Sequence, residues 1–206
     1  MDAMAQSHAI ERALGVMAGR LADSGADWVV GGSAGLMLRG LELPSPPRDL
    51  DVYADVGDCA LIHERLSPYS ADKPARSVAG IYESLLSRYE IAGVAVELVG
   101  GFVVSAGEGR YEVKVSDGLL KDAEWLELAG PEGSPLRVPL VPLAHELWFN
   151  RLRGRADRFD LVANAMAANP ERHEPALRRL EAANRLTAEA AADVHARLRS
   201  RKGDGR

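Results

Sequence analysis

The stretch VVGGSAGLMLRG, residues 29–40, is followed nine residues later by DLD at residues 49–51. The apolar residues before Gly31 predict a short buried strand, and those after Ser33 predict a short helix capped by that serine. The Gly-Gly-Ser corner suits a tight strand-to-helix turn, because glycine adopts positive φ at little cost. It equally suits a phosphate, because glycine lets an anion approach the backbone N–H groups closely. It matches neither a P-loop nor a dinucleotide fingerprint, so the corner alone leaves both interpretations open.

The segment RDLDVYA, residues 48–54, alternates polar and apolar side chains and predicts a strand. Asp49 and Asp51 then share one face, with Leu50 and Val52 on the other. Two carboxylates only ~6–7 Å apart along a strand repel each other. A divalent cation turns this repulsion into coordination, and Mg²⁺ favours one or two carboxylates together with substrate phosphates. The alternative is a solvated polar strand face without a metal ion.

Glu97 is the one polar residue in VAVELV, residues 94–99. The longer segment around it predicts a hairpin that turns at Ala92-Gly93, with Glu97 on the second strand. A charged side chain in such a strand is costly unless it is paired or bound to a metal. A third carboxylate of a metal site would explain it. An ion pair with an arginine, or an edge strand that faces water, would explain it equally.

Composition excludes several classes of protein. The hydrophobic content of 47% and charged content of 27% are typical of a globular protein, and the net charge of −5 disfavours a dedicated nucleic-acid binder. Cys59 is the one cysteine, so no intramolecular disulfide and no cysteine zinc cluster can form. We expect Cys59 to be a small buried apolar residue. The chain shows neither a signal peptide nor a membrane span, and we expect a cytoplasmic protein.

The hydrophobic periodicity changes along the chain, and it predicts an α+β fold with a small mixed-sheet core and a C-terminal helical domain. We place the α/β core at residues 1–135, the helical domain at 136–200 and a solvated tail at 201–206. The helical part has three predicted breaks: Gly154, Pro170 and Thr187.

Taken together, VVGGSAGLMLRG, PRDLDVYAD and VAVELVGG resemble the nucleotidyltransferase superfamily that includes DNA polymerase beta. The stretch is most similar to the minimal bacterial members. These include the aminoglycoside and lincosamide nucleotidyltransferases and the nucleotidyltransferases linked to toxin–antitoxin pairs. The resemblance covers residues 26–104 with its motifs. It extends more weakly to LAHELWFNRLRGRADRFDLVAN, residues 143–164, which is similar to a helical segment of such proteins.

The resemblance implies an enzyme that uses Mg²⁺ to transfer NMP from an NTP, with ATP expected, to a hydroxyl group of a small molecule or protein. It implies two sets of site residues. The implied nucleotide-binding residues are Gly31, Gly32, Ser33 and Arg48. The implied metal ligands and catalytic residues are Asp49, Asp51 and Glu97, of which Glu97 would complete the metal site or serve as general base.

The chain departs from the family pattern at two positions. Pro47 stands where relatives often have Ser, Thr or His, and Ala156 stands where many have Lys or Arg. These departures remove basic or polar groups that would contact phosphate. Arg48, Arg39 or Arg155 could take their place.

Two other functions remain open. The alternative within the same fold is a catalytically weak or inactive antitoxin-like or regulatory module with a toxin-like protein partner. A sugar-nucleotide glycosyltransferase would also use an Asp-x-Asp for metal, but the Gly-Gly-Ser corner has no role there and the chain is short for that fold. We expect no membrane partner and no nucleic-acid partner.

Overall fold

The computed structural model describes residues 3–129 and 135–200, and the predicted tail at 201–206 lies outside these ranges. The helices in chain order are α1 (Ala3–Leu21), α2 (Gly32–Leu38), α3 (Val56–Leu66), α4 (Leu143–Leu152), α5 (Ala156–Ala167), α6 (Pro170–Ala183) and α7 (Ala188–Ser200). The strands are β1 (Trp28–Gly31), β2 (Asp49–Ala54), β3 (Ala75–Ala79), β4 (Tyr82–Ile91), β5 (Val94–Ala106), β6 (Gly109–Glu112), β7 (Glu124–Ala129), β8 (Pro135–Leu140) and β9 (Arg185–Leu186). Two short 3₁₀ helices lie at Ser67–Tyr69 and Leu119–Asp122.

The strands form a mixed sheet in the order β3-β4-β5-β2-β1-β8-β7, to which β6 is added beside β5 and β9 beside β6. Strand β2 is antiparallel to β1 and parallel to β5, and β1 is parallel to β8. The predicted α+β class with a mixed sheet is therefore confirmed. Strands β7 and β8, which pair antiparallel, were not predicted from the sequence.

The hairpin between β4 and β5 turns where the sequence predicts it. Ala92 and Gly93 are the two residues between the strands, and both have positive φ, at 52° and 78°. Positive φ at both central residues is the type I′ turn, whose twist matches that of the flanking strands. A two-residue turn also fixes the strand pairing, because residues equally distant from it must lie opposite each other.

The apolar core lies on one face of β2 and β5. Leu50 and Val52 of β2 and Val96 and Leu98 of β5 are at most 1% exposed. They pack with buried side chains of α1 and α3, which include Ile10, Leu14, Met17, Cys59 and Ile62. Because side chains of a strand alternate, Asp49, Asp51 and Glu97 necessarily lie on the other face.

Cys59 is a free, buried cysteine, as expected. Burial, together with the charges of Asp58 and Asp55, raises the pKa of its thiol to about 11. The thiol packs closely on the backbone of β5, since a Cβ on Gly100 would overlap its Sγ atom. Cys59 is therefore part of the contact between α3 and the sheet.

The described residues form two compact units. The first comprises those within Met1–Val78, Glu83–Phe102 and Val113–Val141. The second comprises those within Ala79–Tyr82, Val103–Glu112 and Pro142–Arg206. Strand β8 belongs to the first unit although it begins at the predicted domain boundary. The division into domains at residue 135 stays a prediction.

The second unit contains α4 to α7 together with β6 and β9. The predicted breaks are confirmed, since Gly154 separates α4 from α5, Pro170 begins α6 and Thr187 precedes α7. In α4, Trp148 and Phe149 are buried. Within the described residues, no helix combines the length and apolar character needed to cross a membrane.

Asp55 links β2 to a loop of the first unit. Its carboxylate accepts hydrogen bonds from the Val115 N–H (3.0 Å), the Ser116 N–H (2.9 Å) and the Ser116 hydroxyl (2.8 Å). Burial alone would raise the Asp55 pKa, but these hydrogen bonds outweigh it and hold the pKa below its ordinary value of 3.8. The folded protein therefore favours the ionised carboxylate.

We predict that Asp55→Asn lowers the free energy of unfolding by about 1–3 kcal/mol at pH 7, because an amide cannot accept all three hydrogen bonds. The exposed Asp23 offers a control, Asp23→Asn, which should leave stability unchanged. Urea unfolding measures both. Because the folded-state pKa is lowered, the stabilisation is present above the unfolded pKa and is lost as the pH falls through the folded pKa. A difference between wild type and Asp55→Asn that persists at pH 2 would contradict this explanation.

Candidate functional site

The Gly-Gly-Ser corner joins β1 to α2. Gly31 ends β1 with an extended backbone and occupies the N-cap position of the helix, and Gly32 is the first helical residue with φ of +63°. The expected capping by Ser33 is wrong, since Gly31 rather than Ser33 occupies the N-cap position. The chain turns at Gly32, so the helix begins before the serine is reached.

Asp51 lies directly against this corner. Gly31 is opposite Asp51 in the antiparallel register of β1 and β2. A Cβ on Gly32 would overlap Oδ2 of Asp51 and lie 3.0 Å from its Cγ. Glycine is thus required at position 32 for two reasons, its positive φ and the nearby carboxylate.

The three predicted carboxylates share one face of the sheet. In the parallel register of β2 and β5, Asp49 pairs with Ala95 and Asp51 with Glu97. Paired residues of neighbouring strands project to the same side, with the strands ~4.8 Å apart. Asp49, Asp51 and Glu97 are all half-buried, and Ala95 is exposed. At these positions the face is partly exposed, and we call it the open face, whereas the opposite face is the core.

Glu97 forms an ion pair with Arg88 of β4. Nε of Arg88 donates to Oε1 of Glu97 at 3.0 Å, and Nη1 donates to Oδ2 of Asp72 at 3.1 Å. Asp72 also accepts the Arg88 backbone N–H at 2.6 Å. The two carboxylates raise the pKa of Arg88 above its ordinary value. Of the explanations open for Glu97, the structure shows the pairing with an arginine.

The residues fit a divalent cation in part. Asp49 and Asp51 present two half-buried carboxylates from one strand face, a number that Mg²⁺ accepts when substrate phosphates complete its coordination. Among the described residues, no group of three or more His, Cys, Asp or Glu side chains is arranged to hold a metal ion. Glu97 lies beside Asp51 but is engaged by Arg88. The assignment of Asp49, Asp51 and Glu97 as ligands stays a prediction.

The candidate basic residues have different environments. Arg48 is exposed immediately before β2. Arg39 is only 6% exposed at its side chain and donates to Glu124 at 3.1 Å and to the carbonyls of Gly35 and Val141. These contacts make Arg39 a structural link rather than a group available to a ligand. Arg155 forms an ion pair with Asp157 at 3.4 Å in the second unit.

Two polar residues of this region were missed by the sequence analysis, Arg88 and Asp72. A signal for Arg88 was present. A two-residue turn at Ala92-Gly93 places residue 88 opposite residue 97, and opposite charges in such cross-strand positions attract. Asp72 lies in the segment before β3 and had no comparable signal.

No protein-family model matches the chain, and no curated protein matches it. Among solved structures it is similar to the "putative nucleotidyltransferase" TM1012 from Thermotoga maritima. The TM-score is 0.53 at 21% sequence identity, over 74% of this chain and 89% of that one. The chain has a nucleotidyltransferase fold. The predicted resemblance is therefore confirmed for the fold. A likeness at such low identity shows the fold alone.

The antibiotic-resistance factor ANT(2'')-Ia is also similar to the chain at 12% identity. Its solution structure gives a TM-score of 0.49 over 95% of this chain and 98% of that one. Its crystal structure in complex with adenylyl-2''-tobramycin gives 0.43 over 97% and 99%. Neither score adds to the argument for the nucleotidyltransferase fold.

We predict that Gly32→Ala destabilises the fold more than Gly40→Ala does. Both glycines have positive φ, at 63° and 79°. Both substitutions therefore lower the free energy of unfolding through backbone strain, by on the order of 1 kcal/mol. Only the Cβ at position 32 meets a carboxylate, because nothing lies within 4 Å of a Cβ at position 40. Urea unfolding of the two variants isolates the contact with Asp51. Equal losses of stability would contradict the close approach of Asp51 to Gly32.

Proposed function

We propose that the protein is a Mg²⁺-dependent nucleotidyltransferase that transfers NMP from an NTP, with ATP expected, to a hydroxyl group of a small molecule or protein. The observation that carries this proposal is the juxtaposition of two half-buried carboxylates, Asp49 and Asp51, with the Gly-Gly-Ser corner. The nucleotidyltransferase fold supports it.

The reaction requires the protein to position the NTP and the acceptor and to neutralise phosphate charge. It does not require the protein to form a covalent bond. The acceptor oxygen forms a bond to the α-phosphorus, and the bond from that phosphorus to the bridging oxygen breaks. Pyrophosphate leaves with that oxygen. The proton of the acceptor hydroxyl passes to a base, and we assign Glu97 to this task because it lies beside Asp51 on the open face.

The remaining roles follow from position. Gly31, Gly32 and Ser33 would hold the phosphates, since Gly31 and Gly32 have no Cβ and the corner lies next to Asp51. Asp49 and Asp51 would hold Mg²⁺, whose charge would offset that of the phosphate oxygens. Arg48 is exposed immediately before Asp49, so it can contribute a further positive charge toward phosphate.

The ion pair of Glu97 with Arg88 favours a second candidate function. A carboxylate oxygen that accepts a hydrogen bond from an arginine is less available to bind a metal ion or the acceptor hydroxyl. The protein would then bind a nucleotide but transfer it poorly, and would act as a regulatory or antitoxin-like partner of a toxin-like protein. Transfer activity of the wild-type protein separates the two candidates.

We predict that Mg²⁺ and ATP bind cooperatively, and that Asp49→Asn or Asp51→Asn removes the Mg²⁺-dependent part of ATP binding without unfolding the protein. The reason is that each substitution removes one of two carboxylates from a small site. Isothermal titration calorimetry with and without Mg²⁺ measures the effect. Asp23→Asn, on an exposed position after α1, is the control that should behave as wild type. ATP affinity that is independent of Mg²⁺ and of both aspartates would refute the metal site.

We also predict that Glu97→Gln keeps the fold and ATP binding but removes transfer, which a labelled-NTP assay over candidate hydroxyl acceptors measures. The loss of stability should be below about 1 kcal/mol, because Arg88 is 53% exposed and keeps its pair with Asp72. Wild-type protein that binds ATP with Mg²⁺ but transfers nothing would favour the regulatory module. Retained transfer in Glu97→Gln would show that another group accepts the proton.

A further inference from the structure

A row of neighbouring residues crosses four strands at the open face. It begins at Gly31 of β1 and continues through Asp51 of β2 and Glu97 of β5, which are paired in register. Arg88 of β4 follows, bound to Glu97 at 3.0 Å. Because β5 lies between β2 and β4, the guanidinium reaches Glu97 from the side opposite Asp51. Glu97 therefore stands between a carboxylate on one side and a cation on the other.

Arg88 is held in place independently of Glu97. Asp72 binds it twice, through the backbone N–H at 2.6 Å and through Nη1 at 3.1 Å. The guanidinium thus keeps one ion pair, with Asp72, when another cation competes for Glu97. A metal ion bound to Glu97 would lie next to a fixed positive charge, which weakens its binding.

We infer that Arg88 supplies the positive charge beside Glu97 that a second metal ion would otherwise supply. The site then binds a single divalent cation, at Asp49 and Asp51. This inference rests on the proposed function, and it departs from the expectation that Glu97 is a metal ligand. Arg88 is then a positioning residue. It keeps Glu97 beside the reaction site, and Glu97 does not coordinate metal.

The experiment measures Mn²⁺ binding to the full chain without nucleotide, by electron paramagnetic resonance of the free ion. Wild type should bind one Mn²⁺, and Asp51→Asn should abolish that binding. Arg88→Met should bind Mn²⁺ at least about tenfold more tightly or bind a second ion, because Glu97 is released to the metal. Arg88→Lys, which keeps the charge, should bind Mn²⁺ as tightly as wild type does, and Glu97→Gln should likewise bind one Mn²⁺ although it lacks the proposed base.

Two further variants distinguish an effect of Arg88 that passes through Glu97 from a general effect of removing one positive charge. Arg76→Met also removes one positive charge, from an exposed arginine of β3 that pairs with Glu83 at 2.6 Å, and it should leave Mn²⁺ affinity unchanged. Arg88→Met combined with Glu97→Gln should return to wild-type affinity, since the gain passes through Glu97. Thermal unfolding checks that each variant folds, and Arg88→Gln repeats the test should Arg88→Met not fold.

Three results would overturn the inference: unchanged Mn²⁺ affinity in Arg88→Met, a gain that persists in the double variant, or a loss of affinity in Glu97→Gln as large as that in Asp51→Asn. Each of them leaves the proposed nucleotidyl transfer intact. Failure of the proposed function looks different. Wild-type protein that binds no Mn²⁺, or binds it independently of Asp49 and Asp51, would remove the metal site and the inference with it.

Discussion

Burial of one face of β2 and β5 is the constraint on which the candidate site depends. Leu50 and Val52 are held in the core with Val96 and Leu98, so the intervening residues must project to the opposite side. The parallel register then places Asp51 beside Glu97. The positions of the carboxylates therefore follow from hydrophobic packing beneath them. A slip of either strand by one residue would bury the carboxylates and expose the core, which makes the register costly to change.

The sequence predicted the parts of the fold in which local pattern and tertiary packing agree. The alternation in residues 48–54 and the Ala92-Gly93 turn each have one structural solution, and both were found. Strands β7 and β8 were missed because their segments are rich in proline and glutamate and lack a clear alternation. The division into units was also beyond local pattern, since residues 103–112 lie within the predicted α/β core but group with the C-terminal helices.

The site was predicted less completely than the fold. Residue spacing identified three carboxylates of one open face, but it gave no view of the cations around them. Arg39 illustrates the difficulty, because its sequence position beside the corner suggests a phosphate contact. In the structure it is buried and bonded to Glu124 and to two backbone carbonyls. Whether an arginine serves a ligand or the fold depends on which acceptors surround it, and these come from distant parts of the chain.

The hairpin register connects these observations, because the turn at Ala92-Gly93 decides which residue faces Glu97. A two-residue turn brings Arg88 opposite Glu97, and the ion pair at 3.0 Å is the consequence. A turn longer by one residue would shift the pairing and bring a neighbour of Arg88 to that position, with its side chain on the other face. Charge compensation on the open face therefore depends on the length of a turn at the far end of the hairpin. The cation beside the carboxylates is fixed by backbone geometry, whereas a cation on a loop or a bound metal ion could leave.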